Sequence, residues 1–451
     1  MRKLHSKPQL IFYALAGMGM NLLNLMMNSY LCSALLIGGF GESAIPFQTY
    51  VGRDLIIAAV WSVFAFVARI IDGVIDIPMA SFTDRLQSRF GRRRPAILIG
   101  LAATIASYAL FLVVPHPAGV SLGNTLWYGI LLCLFYCAYT LTMVTYYATY
   151  TEIVERERDR AFLSNAKSVC DIVYFIIGYV GVRAMLNGIN IRVVALCVLP
   201  VCLTMLIAVF MIREPSSRRT DGEEGPEYET VNLVTSLRFT FRNRAFVVWM
   251  IVYAAMTFGV QLFLGGINEY FSYTGMSMIF VMMSAFAPVP FTLILYNRIL
   301  HKHGFGAAYR YTLITYIVGM LWMFVLAFLP AGGLKTVMSI VGGLISSFSI
   351  GSIFAVAYSI PAELAAQEQK QTGVSNSAMY FAVQGLFSGV ASGIATGIVL
   401  TALKKGTAEG TLRGPMFYLT LISAAGAALA LVLTVFLPQT VKRIGLGEAE
   451  N

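Results

Sequence analysis

The sequence predicts an all-α membrane protein with twelve transmembrane helices in two sets of six, and three observations carry that prediction. Of its 451 residues, 58% are hydrophobic and only 12% are charged, against about a quarter charged in soluble chains. The apolar residues fall into runs near the roughly 20 residues that a helix needs to cross a bilayer. A polar stretch in the middle divides these runs, and the loops of the two halves echo each other.

The N-terminus, MRKLHSKPQLIFYALAG, begins basic like a signal peptide. Its apolar run continues to about residue 37 without a small-residue cleavage site, so it reads as a retained first helix. Spans follow near 54–80, 96–114, 126–150, 162–186 and 192–212, and a second set near 245–270, 276–298, 309–330, 335–363, 375–403 and 414–437. The expected organisation is an N-terminal six-helix unit over 1–212, a linker over 213–244, and a C-terminal six-helix unit over 245–451 with a short tail. The linker is polar, with an acidic run at Asp221, Glu223, Glu224, Glu227 and Glu229, which reads as a solvated segment. From Val231 to Phe241 apolar and basic residues alternate in the manner of a surface-lying amphipathic helix.

A net charge of +10 could mean nucleic acid in a soluble chain. Here the basic residues lie between apolar runs, where they set topology instead. With twelve spans, the side holding both termini, the linker and the loops after spans 2, 4, 8 and 10 carries about 23 Lys and Arg, and the other side about 7. Both termini are therefore expected in the cytoplasm, in a multi-pass protein of the plasma (inner) membrane. The six cysteines lie within apolar runs and share no metal-ligand spacing with the four histidines, which reads as buried packing. No HExxH, phosphate-binding Gly-rich loop or nucleophile-and-base arrangement is visible, so an enzyme is not expected and no cofactor is implied.

The second span carries the most informative stretch. Asp72 and Asp76 are four residues apart and Arg69 lies one turn earlier, so a continuous helix puts all three on one face. A carboxylate inside a membrane costs several kcal/mol unless it is paired, neutralised or hydrated. Two within one turn cannot both stay ionised without a cation nearby. Arg69 can balance one as an ion-pair partner, and a proton or a metal cation is left to neutralise the other. The structural alternative is a salt bridge with Arg69 alone, which leaves one carboxylate unaccounted for.

The span ends in TDRLQSRFGRRRP, and after span 8 the chain reads YNRILHKHGFGAAYR. In each, a polar residue precedes Arg (Asp84 and Arg85; Asn297 and Arg298), and a spacer leads to a Gly beside a basic residue or His (Gly91 and Arg92; His303 and Gly304). A shared order at the same place in each half argues for duplication. Asp84, Arg85, Arg92, Arg93 and Arg94 form an expected cytoplasmic gate, with Glu152 and Glu155 at the end of span 4 within reach.

These residues resemble the glycoside, pentoside and hexuronide cation symporters of the major facilitator superfamily. The likeness is strongest from Arg69 to Gly100, including GRRRPAILIG, and from Pro361 to Ser388, including QTGVSNSAMYFAVQGLFSG; the loop ERERDRAFLSNAKS is similar as well. The resemblance implies two six-helix bundles around a cavity that opens alternately to each side. It implies a coupling cation at Asp72 and Asp76, H⁺ or Na⁺, as the sole ion site. The family pattern has Asn immediately before the second Asp, where this chain has Ile75. One oxygen ligand for Na⁺ is thereby missing, which favours H⁺, a cation that needs no ligand cage.

The resemblance also places the family's sugar-binding residues at Asn21, Met143 and Lys167, so both of the family's acids are absent here. Asn21 and Lys167 retain hydrogen-bonding capacity, whereas Met143 does not replace an acceptor. Asn24, Asn28, Tyr30, Thr140, Thr145, Tyr147 and Gln384 are further polar or aromatic candidates, with packing as the alternative for the aromatics. Lys167 and Asp171 are also an i, i+4 pair that can satisfy itself. Asn268, Glu269 and Glu363 read as solvated residues near span ends. The expected function is cation-coupled transport of a sugar or glycoside by a monomer in the lipid bilayer; the alternative is a lysophospholipid or other amphiphile as cargo.

Overall fold

The computed structural model describes residues 6–36, 49–86, 88–149, 153, 157–214, 241–372, 377–408 and 414–446. The chain divides into two compact units, the first within residues 1–229 and the second within Thr230–Asn451. The acidic run of the expected linker and nearly all of its amphipathic stretch lie outside the described residues.

In the first unit, α1 (Lys7–Leu35) is one long apolar run. Ser6 caps it by accepting from the Gln9 N–H, and its last turns widen into a π segment at Met27–Leu31. Helices α2 (Ala58–Val74) and α3 (Asp76–Arg85) follow, then α4 (Arg93–Phe111), α5 (Leu122–Ala148), α6 (Glu157–Ile176) and α7 (Ile191–Met211). Ser121 caps α5 through the Asn124 N–H. Helix α6 runs on through a π segment at Ile177–Val182.

The second unit comprises α8 (Arg244–Gly265), α9 (Ile267–Thr274), α10 (Met278–Phe286), α11 (Val289–His303), α12 (Phe305–Ala327), α13 (Gly333–Thr372), α14 (Ser377–Ser392), α15 (Leu400–Ala408), α16 (Pro415–Phe436) and α17 (Gln439–Lys442). A π segment, Gly393–Val399, joins α14 to α15.

Nine helices among the described residues are long and apolar enough to cross a membrane, or ten if α10 and α11, bent by 43° at a break, form one span. The remaining expected spans, near 54–80 and 162–186, are helical too, but they hold the charges. Helix α2 stops after 17 residues, and α6 carries Lys167 and Asp171 beyond a charged first turn. The break between α2 and α3 has a local cause: Pro78 has no N–H to return to the Val74 carbonyl. The irregularity is local: Ile75 keeps right-handed helical dihedrals, its N–H donates to the Ile71 carbonyl at 2.9 Å and its carbonyl accepts from the Met79 N–H at 3.0 Å, so the helical path carries on from Asp72 to Asp76 as expected.

The loop echo has a structural counterpart in each unit. Gly91 (φ 83°) precedes α4 and Gly304 (φ 78°) precedes α12, both in the left-handed region that suits glycine. In each case the segment following the last long helix of the unit caps the helix that the glycine introduces. The Arg93 N–H donates to Glu214 Oε2 at 2.8 Å, and the Phe305 N–H donates to the Ile444 carbonyl at 2.9 Å. A side chain at either glycine would invade that contact: a Cβ at Gly91 would lie 2.4 Å from the Glu214 carboxylate, and one at Gly304 2.7 Å from the Lys442 carbonyl. Gly304→Ala is accordingly expected to lose about 1–2 kcal/mol from backbone strain alone. Thermal unfolding in detergent measures it, and an unchanged midpoint would show that the turn relaxes freely.

Candidate functional site

Polar side chains of the first unit converge from α1, α2, α5 and α6. Asn21, Asn24 and Asn28 are spaced i, i+3 and i+7, so they form one stripe on α1. Two ion pairs attach to that stripe at different heights.

At the Asn28 end, Arg69 Nη1 lies 3.7 Å from Asp72 Oδ2. The other arm of the same guanidinium donates to Asn28 Oδ1 at 2.9 Å, and its plane sits 5.2 Å from the centre of the Tyr136 ring. The Tyr136 hydroxyl donates to Asn28 Oδ1 as well, and Asn28 Nδ2 donates to Asn24 Oδ1 at 2.7 Å. Thr140 lies against the Asp72 carboxylate from α5. Arg69 is therefore fixed by an amide, a ring and a carboxylate together, and its charge balances Asp72.

Asp76 is placed differently. It opens α3, one residue past Ile75, close enough to Asp72 for the two charges to repel. Among the described residues it has neither a hydrogen bond nor an ion pair. One charge-balanced acid beside one unbalanced acid is the arrangement that a single exchangeable cation would complete.

At the Asn21 end, Lys167 pairs with Asp171 on α6, and Asn21 Nδ2 donates to the same carboxylate oxygen at 3.2 Å. The Tyr139 hydroxyl donates to Asn21 Oδ1 at 2.8 Å, and the Lys167 ammonium sits 5.5 Å from the centre of the Tyr147 ring. The self-satisfied pair seen in the i, i+4 spacing is thus present, and an α1 amide joins it. Both polar atoms of Asn21 are engaged within the protein. Met143, on the same face of α5, is buried.

The other sequence candidates are more dispersed. The Tyr30 hydroxyl donates to the Gly178 carbonyl at 2.8 Å, where the π segments of α1 and α6 meet, and the side chain is fully buried. That is a packing role. Gln384 belongs to the second unit and accepts from Trp249 Nε1 at 3.1 Å. Of the expected gate residues, Glu152, Glu155 and the side chains of Asp84 and Arg85 lie outside the described part of the structure. Arg93 is buried, with Nε 4.0 Å from Glu214 Oε1, and Arg94 Nε donates to the Val209 carbonyl at 2.7 Å. Arg92 is partly exposed at the start of α4.

The expectation that Asn268 and Glu269 are solvated is overturned. Both are completely buried, and Glu269 Oε1 lies 2.6 Å from Lys404 Nζ on α15. The helix breaks at Gly265–Gly266, and α9, which resumes at Ile267, buries most of its residues, Asn268 and Glu269 among them. Sequence reading passed over Lys404 and Glu214 because their partners are distant in the chain. It passed over Tyr136 and Tyr139 because aromatic residues in a membrane helix usually pack; their i, i+3 spacing on α5, facing the asparagine stripe, was the available signal.

Comparison with known proteins places this geometry in context. The family described as MFS/sugar transport protein matches residues 12–440. No curated protein matches the chain by sequence. Among solved structures, a mutant form of the nucleoside transporter NupG is similar with a TM-score of 0.64 and 12% identity, over 96% of this chain and 99% of that one. A POT family transporter in complex with a thioalcohol-conjugated peptide is similar with a TM-score of 0.61 and 13% identity, over 96% of each chain. A bacterial homologue of the human lysosomal transporter Spinster, inward-facing and unoccupied, gives a TM-score of 0.53 and 15% identity, over 96% of this chain and 95% of that one. At such identities the likeness concerns the fold.

Proposed function

We propose, from the premise that this chain belongs to the MFS/sugar transport protein family, that this secondary transporter moves a sugar or glycoside together with one monovalent cation, H⁺ or Na⁺, by alternating access. The observation that carries the reading is Asp76, a carboxylate without a partner among the described residues, one helical turn away from the balanced Arg69–Asp72 pair. The polar cluster of the first unit holds Asp72, Asp76 and Asp171 against Arg69 and Lys167, a net charge of 2 − 3 = −1 with all five ionised. One cation makes the cluster neutral and a second would overcharge it. A stoichiometry of one cation per cycle is therefore expected, with inward current when the cargo is neutral.

Ile75 still withholds the side-chain oxygen that a Na⁺ cage would use, which favours H⁺. Pro78 works in the other direction: it leaves the Val74 carbonyl without its usual donor, close to both acids. The test is uptake into proteoliposomes under an imposed proton or sodium gradient, with labelled monosaccharides and glycosides as cargo and cation flux measured in parallel. Accumulation that follows neither gradient overturns the coupling, and a flux ratio of two cations per substrate overturns the charge argument.

A second reading, an amphiphile such as a lysophospholipid as cargo, is favoured by one feature. Where the resemblance implies sugar-binding acids, this chain has a buried Met143 and an Asn21 whose amide is already engaged. Adding labelled lysophospholipid to the same assay separates the two cargo classes.

A further inference from the structure

The second unit contains a charge pair unlike those of the first. The Glu269 side chain is 0% exposed, Oε1 lies 2.6 Å from the Lys404 ammonium, and Oε2 has no hydrogen-bond partner among the described residues. Both helices that supply the pair are irregular beside it. Helix α8 stops at Gly265, where the Gly266 N–H is shared between the Leu262 and Phe263 carbonyls, and the chain resumes as α9 with Glu269 in its first turn. Across from it, the π segment Gly393–Val399 leads into α15 and Lys404. The approach is close: a Cβ at Gly266 would lie 2.7 Å from the Leu400 side chain. Broken helices, π segments and intramembrane carboxylates are the usual materials of ion sites in membrane proteins.

The far end of α9 repeats the theme. The buried Lys335 ammonium donates to the Thr274 carbonyl at 2.5 Å and to the Leu329 carbonyl at 2.8 Å, as a metal ion would gather carbonyl oxygens. This eight-residue helix is thus held at one end by an ammonium on a carboxylate and at the other by an ammonium on backbone carbonyls.

We propose that Glu269 forms a monovalent-cation site in the second unit, and that the Lys404 ammonium fills it permanently as a tethered cation. The carboxylate supplies the charge, the lysine stem supplies the cation covalently, and no free ion is exchanged there. Removing the ammonium while keeping the carboxylate opens the site to a free cation of similar charge and size, such as Na⁺, K⁺, ammonium or methylammonium. The contrast with the first unit is direct: there Asp76 has no built-in partner among the described residues, and a cation that neutralises it comes from solution.

The experiment uses the full-length protein with Asp76→Asn as background, so that cation binding in the first unit does not contribute to the signal and failure of the transport reading leaves this test intact. Lys404→Ala is purified in ammonium chloride, and its thermal unfolding is then followed against Na⁺, K⁺, ammonium and methylammonium, with choline at equal ionic strength as reference. A saturable rise of roughly 5–10 °C is expected. That rise should be absent from the background protein and from Glu269→Gln/Lys404→Ala, which lacks the carboxylate. Equal midpoints in choline and in the small cations overturn the proposal and leave the pair as an internal brace. Failure of Lys404→Ala to fold even in ammonium overturns it too, because a cation site would then have been filled. If the double variant also fails to fold, the same conclusion holds, since a site emptied of both charges requires no cation.

Discussion

Asp76→Asn is expected to lose concentrative uptake entirely while retaining exchange. With the one unbalanced charge of the first-unit cluster removed, a cation no longer gains anything by entering, and the gradient loses its handle on the cargo. Uptake against a concentration gradient should fall to the level of protein-free liposomes, whereas counterflow of labelled against unlabelled cargo continues. Asp72→Asn is expected to behave differently, because it strips Arg69 of its carboxylate. An unpaired arginine within the membrane costs about 2.5–3.5 kcal/mol, so this variant should also unfold at lower temperature. The two acids are therefore distinguished by a pair of measurements, uptake and melting. Undiminished uphill uptake by Asp76→Asn would remove Asp76 from the mechanism, and equal melting losses in both variants would remove the distinction drawn from Arg69.

Glu269→Gln is expected to be the most destabilising single change in the second unit. It leaves the Lys404 ammonium buried without its carboxylate, and breaking a buried pair from one side costs about 3–5 kcal/mol. Adding Lys404→Met should recover most of that loss, because the buried charge disappears with its partner. A double-variant cycle read by thermal unfolding measures the coupling. Additive losses in the cycle would mean that the two side chains act independently despite their 2.6 Å separation.

Much of the architecture was legible from hydropathy alone, since a helix that crosses lipid must satisfy its backbone internally and cover itself with apolar side chains. The helices that departed from expectation did so for reasons written in single residues. Pro78 removes one backbone hydrogen bond from the span that carries the two acids, and Gly265 with Gly266 divides the one that precedes Glu269. Neither residue disturbs a hydropathy average. The loop echo was legible as well, because Gly91 and Gly304 occupy turns with φ of 83° and 78°; that the end of each unit folds back to cap the next helix was not, because Glu214 and Ile444 lie more than a hundred residues from their partners.

For the candidate site, the Arg69–Asp72 and Lys167–Asp171 pairs followed from helical spacing, as local pairs do. The asparagine stripe that joins them did not. Asn21, Asn24 and Asn28 were visible as polar residues on one helix, but only packing against α2, α5 and α6 assigns Asn28 to Arg69 and Asn21 to Asp171.

By itself the sequence determined that the chain lives in a membrane as helices, that one loop pattern recurs in each half, and that its second span holds more acid than local base. These follow from composition, periodicity and near-neighbour spacing, which act along the chain. Tertiary structure alone decided which acid keeps a partner, which hydroxyls and amides are already engaged, and that Glu269 is sealed against Lys404. Those outcomes depend on which helices meet, because helical spacing settles only the pairs made within one helix.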